Sequence, residues 1–186
     1  MQSELKVAPG FLIAMPQLLD PNFSRSVVLM VEHENEGSFG LIINRPSELR
    51  LTNILDSVEL DWRGDPASVA WWGGPVQPET GWVLHEPITG LKDENSREIA
   101  PGVCLTNTPE TLRMLCEQPP RNLRFVLGYS GWSSEQLLSE MADGSWVNSE
   151  ASADLIFGTA PEDMWEASLR DLGVEPSSLV PAHGVH

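Results

Sequence analysis

Ser130 stands in the run Gly128-Tyr129-Ser130-Gly131-Trp132, between an apolar stretch and the start of a helix. That is the setting of a nucleophile elbow. Asp154 or Asp163, followed by His183, would complete a Ser, Asp, His order for acyl transfer. The pattern fails at its last position, because Trp132 occupies the place where a second glycine lets a helix pack on the strained turn. The run of parallel strands that holds such an elbow up is missing as well. The plainer reading of Ser130 is a small polar residue in a strand-to-helix turn, with the flanking glycines supplying permissive backbone angles. No catalytic residue is assigned.

Histidine offers a second chemistry. Glu32-His33 and His85-Glu86 sit at strand ends and could meet across a sheet to bind a metal through imidazole and carboxylate. Adjacent strand residues point to opposite faces, so each dipeptide offers one member to a shared site. A lone strand-end histidine is more often hydrogen-bonded structure, and no metal or cofactor is assigned. His183 and His186 belong to a terminus, where chains fray.

Gly73-Gly74 suggests a phosphate-cradling loop, but no Lys-Ser, Lys-Thr or helix start follows, so neither a Walker loop nor a dinucleotide fingerprint is present. Glycines with Pro75 make a tight turn, while Trp71 and Trp72 face opposite sides of their strand. A partly exposed indole beside a glycine turn is also how clefts are built. Arg25 and Arg45 flank the ends of two successive strands and could hold a carboxylate or phosphate in bidentate fashion. The competing reading pairs an arginine with Asp20 or another local carboxylate.

The bulk of the chain narrows these options. With 11 Lys and Arg against 27 Asp and Glu, its net charge is −16 over 186 residues. Such a field repels phosphate backbones and anionic headgroups, so direct nucleic-acid or membrane binding is not expected. No apolar run reaches the ~20 residues that span a bilayer, and the first residues lack a signal peptide's cationic start and apolar core. A cytoplasmic location is expected. Cys104 and Cys116 lack metal-ligand spacing and read as reduced core residues.

Apolar runs predict strands at residues 11–14, 25–32, 39–43, 69–72, 81–85, 103–106, 123–127 and 153–157. Residues 25–32 and 39–43 read as a hairpin across Asn35-Glu36-Gly37. The connection from 72 to 81 is too short for a crossover helix, so those two strands are expected to be antiparallel neighbours. Helical spacing places helices at 52–58, after Thr108-Pro109, from Ser133 through Met141, and from a Thr159/Glu162 capping box to Gly173. Strands crowded into the first half, then alternating elements, argue α+β: one domain over 1–186 with a mostly antiparallel sheet flanked by helices.

Several blocks together resemble the AlgH/YqgE family of bacterial proteins. They are residues 11–16 (FLIAMP), Asp20-Pro21-Asn22-Phe23-Ser24-Arg25-Ser26-Val27, Glu32-His33 and residues 40–46 (GLIINRP). Gly73-Gly74-Pro75-Val76, Trp82-Val83-Leu84-His85 and Gly128-Tyr129-Ser130-Gly131-Trp132 leading to Gln136-Leu137 complete the set in the family's order. The resemblance implies a compact α+β domain with a bent, branched sheet. It implies little of function beyond a description of some members as transcriptional regulators, and it brings no catalytic residues. The chain departs from the family's usual Gly-x-Gly before Gln136, where it has Ser133-Ser134-Glu135, and Leu138 replaces an acidic residue. Members often carry Ala at the place of Ser130.

These readings lead to a non-enzymatic binding or regulatory module for a small molecule or protein. Its cleft is expected near the Gly73-Gly74-Pro75 turn, with Arg25, Ser26, Asn44, Arg45, Gly73, Gly74, His85, Trp132 and Gln136 as candidate ligand-binding residues. The alternatives are a small hydrolase using Ser130 or a His33/His85 site, and a protein–protein adaptor.

Overall fold

The computed structural model describes residues 7–91 and 96–175, so the expectation placed on His183 lies outside the described residues. Five short segments open the chain: β1 (Gly10–Ala14), β2 (Val27–Glu34), β3 (Gly37–Ile42), β4 (Pro46–Arg50) and helix α1 (Leu51–Asp56). β5 (Val69–Trp72), β6 (Val76–His85), β7 (Arg97–Ala100) and β8 (Val103–Thr106) follow. The last third alternates: α2 (Pro109–Glu117), β9 (Leu123–Trp132), α3 (Ser134–Ala142), β10 (Trp146–Ser149), α4 (Ala153–Gly158) and α5 (Pro161–Asp171). All ten strands join one branched sheet in the order β10-β1-β2-β3-β9-β6-β8-β7, with β5 and β4 leaving it at β9. Every pairing is antiparallel except β5 with β9. This is the bent, mostly antiparallel α+β sheet that the sequence and its family resemblance predict.

Alternation along the strands sorts the side chains into separate cores. Phe11, Ile13, Val27, Leu29 and Leu41 face α4 and α5, where Leu155, Ile156, Met164, Trp165 and Leu169 cover them. Their neighbours Leu12, Ala14, Val28, Met30 and Ile42 face the other way, onto Leu137 of α3 with Trp132 and Trp146. At the far end of the sheet, Val83 and Phe125 are covered by Leu51 and Leu55 of α1 and Leu115 and Cys116 of α2. Period-two patterning with both faces buried explains why β1 and β2 read as continuous apolar runs. The expected hairpin is present, with Glu34 opposite Gly37, and a bulge between Met30 and Glu32 turns the chain at Val31.

Three expectations need correction. Residues 153–157 are helical: Ser152 caps the helix by accepting from the Leu155 amide, and Leu155 and Ile156 are its buried face. A short apolar run has no period of its own to tell strand from helix. Thr159 does not cap α5; it ends α4, its hydroxyl donating back to the Asp154 carbonyl, and α5 starts from Ala160 without a side-chain cap. The third correction concerns β5 and β6, which are not neighbours.

Strand β9 lies between them. Leu127 is opposed by Trp72 of β5 on one edge and by Gly81 of β6 on the other. The chain therefore has only Gly73-Gly74-Pro75 in which to pass across β9 from edge to edge. It does so at Gly128, with backbone pressed on backbone. A Cβ on Gly73 would sit 2.5 Å from the Gly128 carbonyl oxygen, one on Gly74 would fall onto the Tyr129 carbonyl, and one on Gly128 onto the Gly74 oxygen. Gly128 also takes a φ of +74°, which glycine adopts freely. The Gly73 amide donates to Leu127 (2.7 Å), and its carbonyl accepts from the Ile42 amide (2.9 Å) and the Ser130 hydroxyl (3.1 Å). Ser130 is thus a fully buried strand residue at the crossing rather than the tip of a turn.

This geometry sets the expected response to added methyl groups. Gly74→Ala and Gly128→Ala should each destabilise the fold by about 3 kcal/mol, the upper end of ordinary overpacking. Gly158, with nothing within 4 Å of its added Cβ, is the comparison; its alanine variant should stay within about 0.5 kcal/mol of wild type. Urea unfolding with unchanged slope measures all three.

Candidate functional site

Apart from Gly74, which lies against Tyr129 at the crossing, the sequence-derived candidates fall into three places. Arg25, Ser26, Asn44, Arg45 and Gly73 gather at one corner, where the polar groups of all but Ser26 are turned onto the protein itself. The Asn44 carboxamide accepts from the Val27 amide at 3.0 Å and donates to the Arg25 carbonyl at 2.9 Å, standing in for a strand partner. Arg45 donates to the Pro21, Asn22 and Ser24 carbonyls and lies 5.5 Å from the Trp72 ring centre. Burial pushes its guanidinium below the usual value, and Asp20 partly offsets this. Arg25 takes a φ of +57° and stacks over Trp165 at 5.2 Å. Ser26 is fully buried, its hydroxyl without a partner among the described residues.

Trp132 and Gln136 belong to a second place, around one carboxylate. Glu140 of α3 accepts from the indoles of Trp132 (3.0 Å) and Trp146 (2.9 Å) and from the Gln136 side chain (3.1 Å). The two indoles stand at 90° with centres 5.8 Å apart, and Phe23 packs 5.6 Å from each. The carboxylate ties β9, α3 and β10 together.

The third place is an open groove of about 720 Å³, which His85 does not line but adjoins through its partners Ser96 and Thr106. Phe39 of β3, Tyr129 of β9 and Trp82 of β6 form one wall, with ring centres 4.9, 5.2 and 6.3 Å apart. Rings this close touch one another, so they offer a continuous apolar face rather than a box around a cation. A polar ridge of Ser96, Thr106, Asn107 and Thr108 lines the groove as well, as does the Arg97–Glu32 pair (3.3 Å). The Trp82 indole N–H is buried with no partner among the described residues.

Beneath that ridge His85 is fully buried. Its Nδ1 lies 2.8 Å from the Glu86 carbonyl, which can only accept, so Nδ1 carries the proton. Nε2 is then an acceptor, facing the Thr106 hydroxyl at 2.9 Å and the Ser96 hydroxyl at 3.2 Å. Burial pushes this imidazole below its ordinary 6.5, opposed by the Glu86 carbonyl and carboxylate. His33 is engaged elsewhere, 2.5 Å from the Ser38 hydroxyl. Among the described residues no three His, Cys, Asp or Glu side chains gather to hold a metal. Cys104 and Cys116 are buried and unbridged, and desolvation raises the Cys116 thiol to about 11. No helix among the described residues is long and apolar enough to cross a membrane.

The model of the AlgH-like family matches residues 11–177. The chain belongs to that family. A UPF0301 protein of Myxococcus xanthus is 44% identical over 181 residues, covering 97% of this chain and 98% of its own length. One from Xanthomonas oryzae pv. oryzae is 37% identical over 172 residues, with 91% and 90% covered. The solution structure of the AlgH protein from Pseudomonas aeruginosa superposes with a TM-score of 0.75 at 32% identity, both chains covered in full. A crystal structure from Corynebacterium diphtheriae shares the fold, with a TM-score of 0.71 at 21% identity and 92% and 90% covered.

Within this AlgH-like fold, the sequence reading named His85 as a candidate and did not name the aromatic wall of the adjoining groove. Phe39, Trp82 and Tyr129 meet only because β9 enters between β3 and β6, an order that no local pattern encodes.

A lowered imidazole has a testable consequence. The unfolded chain takes up the proton near 6.5 and the folded chain only at lower pH. The stability tied to neutral His85 is therefore complete above 6.5 and drains away as pH falls through the folded value. NMR titration should place the His85 midpoint below 6.5, and His85→Gln should flatten the loss of thermal stability between about pH 7 and pH 5. A midpoint at or above the ordinary value would contradict the burial argument.

Proposed function

We propose that this AlgH-like protein is a non-enzymatic binding module, with a regulatory role, for a small planar molecule. Its ligand would lie on the wall of Phe39, Trp82 and Tyr129. The observation that carries this reading is that wall, open on a groove of about 720 Å³ that hydroxyl and amide groups also line. A mostly apolar surface with a few convergent polar groups is how small-molecule sites are built. The groove also adjoins the glycine crossing, since Val76, the residue after Pro75, pairs with Tyr129 and Gln77 lines the opening. The net charge of −16 disfavours a polyanion such as nucleic acid as the partner. Buried, unbridged Cys104 and Cys116 suit a reducing compartment, and the reading places the protein in the cytoplasm.

Amide and indole NMR shifts, followed against a panel of heteroaromatic metabolites, test it. The binding reading expects perturbations concentrated on Phe39, the Trp82 indole, Tyr129 and residues 106–108. Asn107→Ala, at the exposed edge of the ridge, should weaken the strongest hit about fivefold. Perturbations scattered over the surface would end this reading.

A hydrolase reading rests on one specific observation, the hydroxyls of Thr106 and Ser96 against His85 Nε2. An imidazole acceptor beside a hydroxyl is the arrangement that activates a nucleophile. Under this reading an esterase or phosphatase screen gives turnover that Ser96→Ala and His85→Gln both abolish; turnover that survives both would remove it.

A further inference from the structure

We infer that a second groove, on the opposite side of β9 from the aromatic wall's β6, binds a small planar anion of the nucleoside-monophosphate class. It lies between loops 61–68 and 119–124 and has a volume of about 740 Å³. Arg63, Arg121 and Arg124 line it, which is three of the chain's 11 cationic residues in one place. Trp62 and Trp71 line it as well. Aromatic faces and guanidinium groups side by side are the combination that reads a ring carrying a phosphate.

The arginines are not spent on carboxylates. Among the described residues, neither Arg121 nor Arg124 has an acidic group within ion-pair reach. Arg124 is anchored instead by carbonyls, Nη1 to Leu123 (3.0 Å) and Nη2 to Phe157 (3.3 Å), and lies 4.9 Å from the Trp71 ring centre. Its Nε is buried without a partner among the described residues. Arg63 approaches Asp61 only at 3.9 Å, with both side chains well exposed, so that pair holds it weakly. Asp65 is the acidic residue in the lining, and its Oδ1 is turned onto the Ala67 amide at 2.9 Å.

The walls are set before any ligand arrives. The Trp62 indole donates to the Asp65 carbonyl at 2.9 Å, and Gly64 lies so close over the ring that a Cβ there would sit 2.6 Å from Cε2. The Arg63 amide donates to the Cys116 carbonyl at 3.0 Å, and the Leu51 amide to Ser68 at 2.9 Å. Preorganised walls reduce the ordering cost of binding. A short anion is favoured over a polyanion, because the negative field beyond the groove repels further phosphates.

Calorimetric titration with AMP, adenosine and inorganic phosphate tests the inference on the full chain. AMP should bind saturably and at least tenfold more tightly than either half alone. Arg121→Gln, an exposed change that leaves the core intact, should weaken AMP about tenfold. Arg170→Gln, which removes one positive charge elsewhere, should change it less than twofold. NMR shifts should move the Trp62 and Trp71 indoles and leave that of Trp82 in place. AMP no tighter than phosphate, indifference to Arg121→Gln, or shifts centred on Trp82 would each overturn the inference. So would an oligoadenylate that binds the same groove more tightly than AMP. Failure here leaves the Phe39–Trp82–Tyr129 groove untouched, because its own titration reads different indoles.

Discussion

The passage of Gly73-Gly74-Pro75 across β9 is the constraint on which the rest of the molecule rests. With so few residues to change edges, the chain cannot loop clear of the strand and must lie on it. Side chains are excluded there by contact, so glycines on both partners are a steric necessity. The crossing makes β9 a shared strand, bordered by β5 and β3 along one edge and β6 along the other. Both grooves inherit their positions from it. Trp71, just before the glycines, faces the arginine groove, and Gln77, just after Pro75, faces the aromatic one.

Scarce cations are used here for geometry more than for pairing. Arg45 binds three backbone carbonyls and packs near Trp72, Arg25 lies over Trp165, and Arg124 lies over Trp71. A hydrogen bond from a charged donor contributes about 1.5–3 kcal/mol where it is shielded. An exposed helical ion pair such as Arg170–Glu166 contributes about 0.3–0.5 kcal/mol. The larger contributions thus go into fixing the 20–25 loop and the strand ends. They do little to neutralise the acidic surface, whose mutual repulsion remains as a cost to compactness.

How much of this was legible in the sequence depends on the range of the interaction. Alternating apolar residues in β1, β2 and β3 and the capped start of α3 at Ser133 are local signals, and they read correctly. Polar strands without a period, Pro46–Arg50, Arg97–Ala100 and Trp146–Ser149, gave no signal. They are strands because an edge was open to them. The glycines announced a special backbone but not its purpose, since the partner at Gly128 is distant in the chain. Likewise Arg45 and Asn44 stood out by type, while the carbonyls and amides they serve became visible only in three dimensions. His85 was legible as a strand-end histidine, yet its hydroxyl partners come from β8 and Ser96, across the sheet and a loop.

The crossing also has a consequence in time. β5 and β6 cannot close on each other and wait for a third strand, because the strand they enclose must already lie beneath the glycines. The hydrogen bond from Ser130 to Gly73 spans 57 residues, so the centre of the sheet forms only after a long loop has closed. Contacts of such separation slow folding, since the entropy of closure is spent before the pairing returns it. The α2 helix and β7–β8 lie within that loop, and local structure there shortens the search.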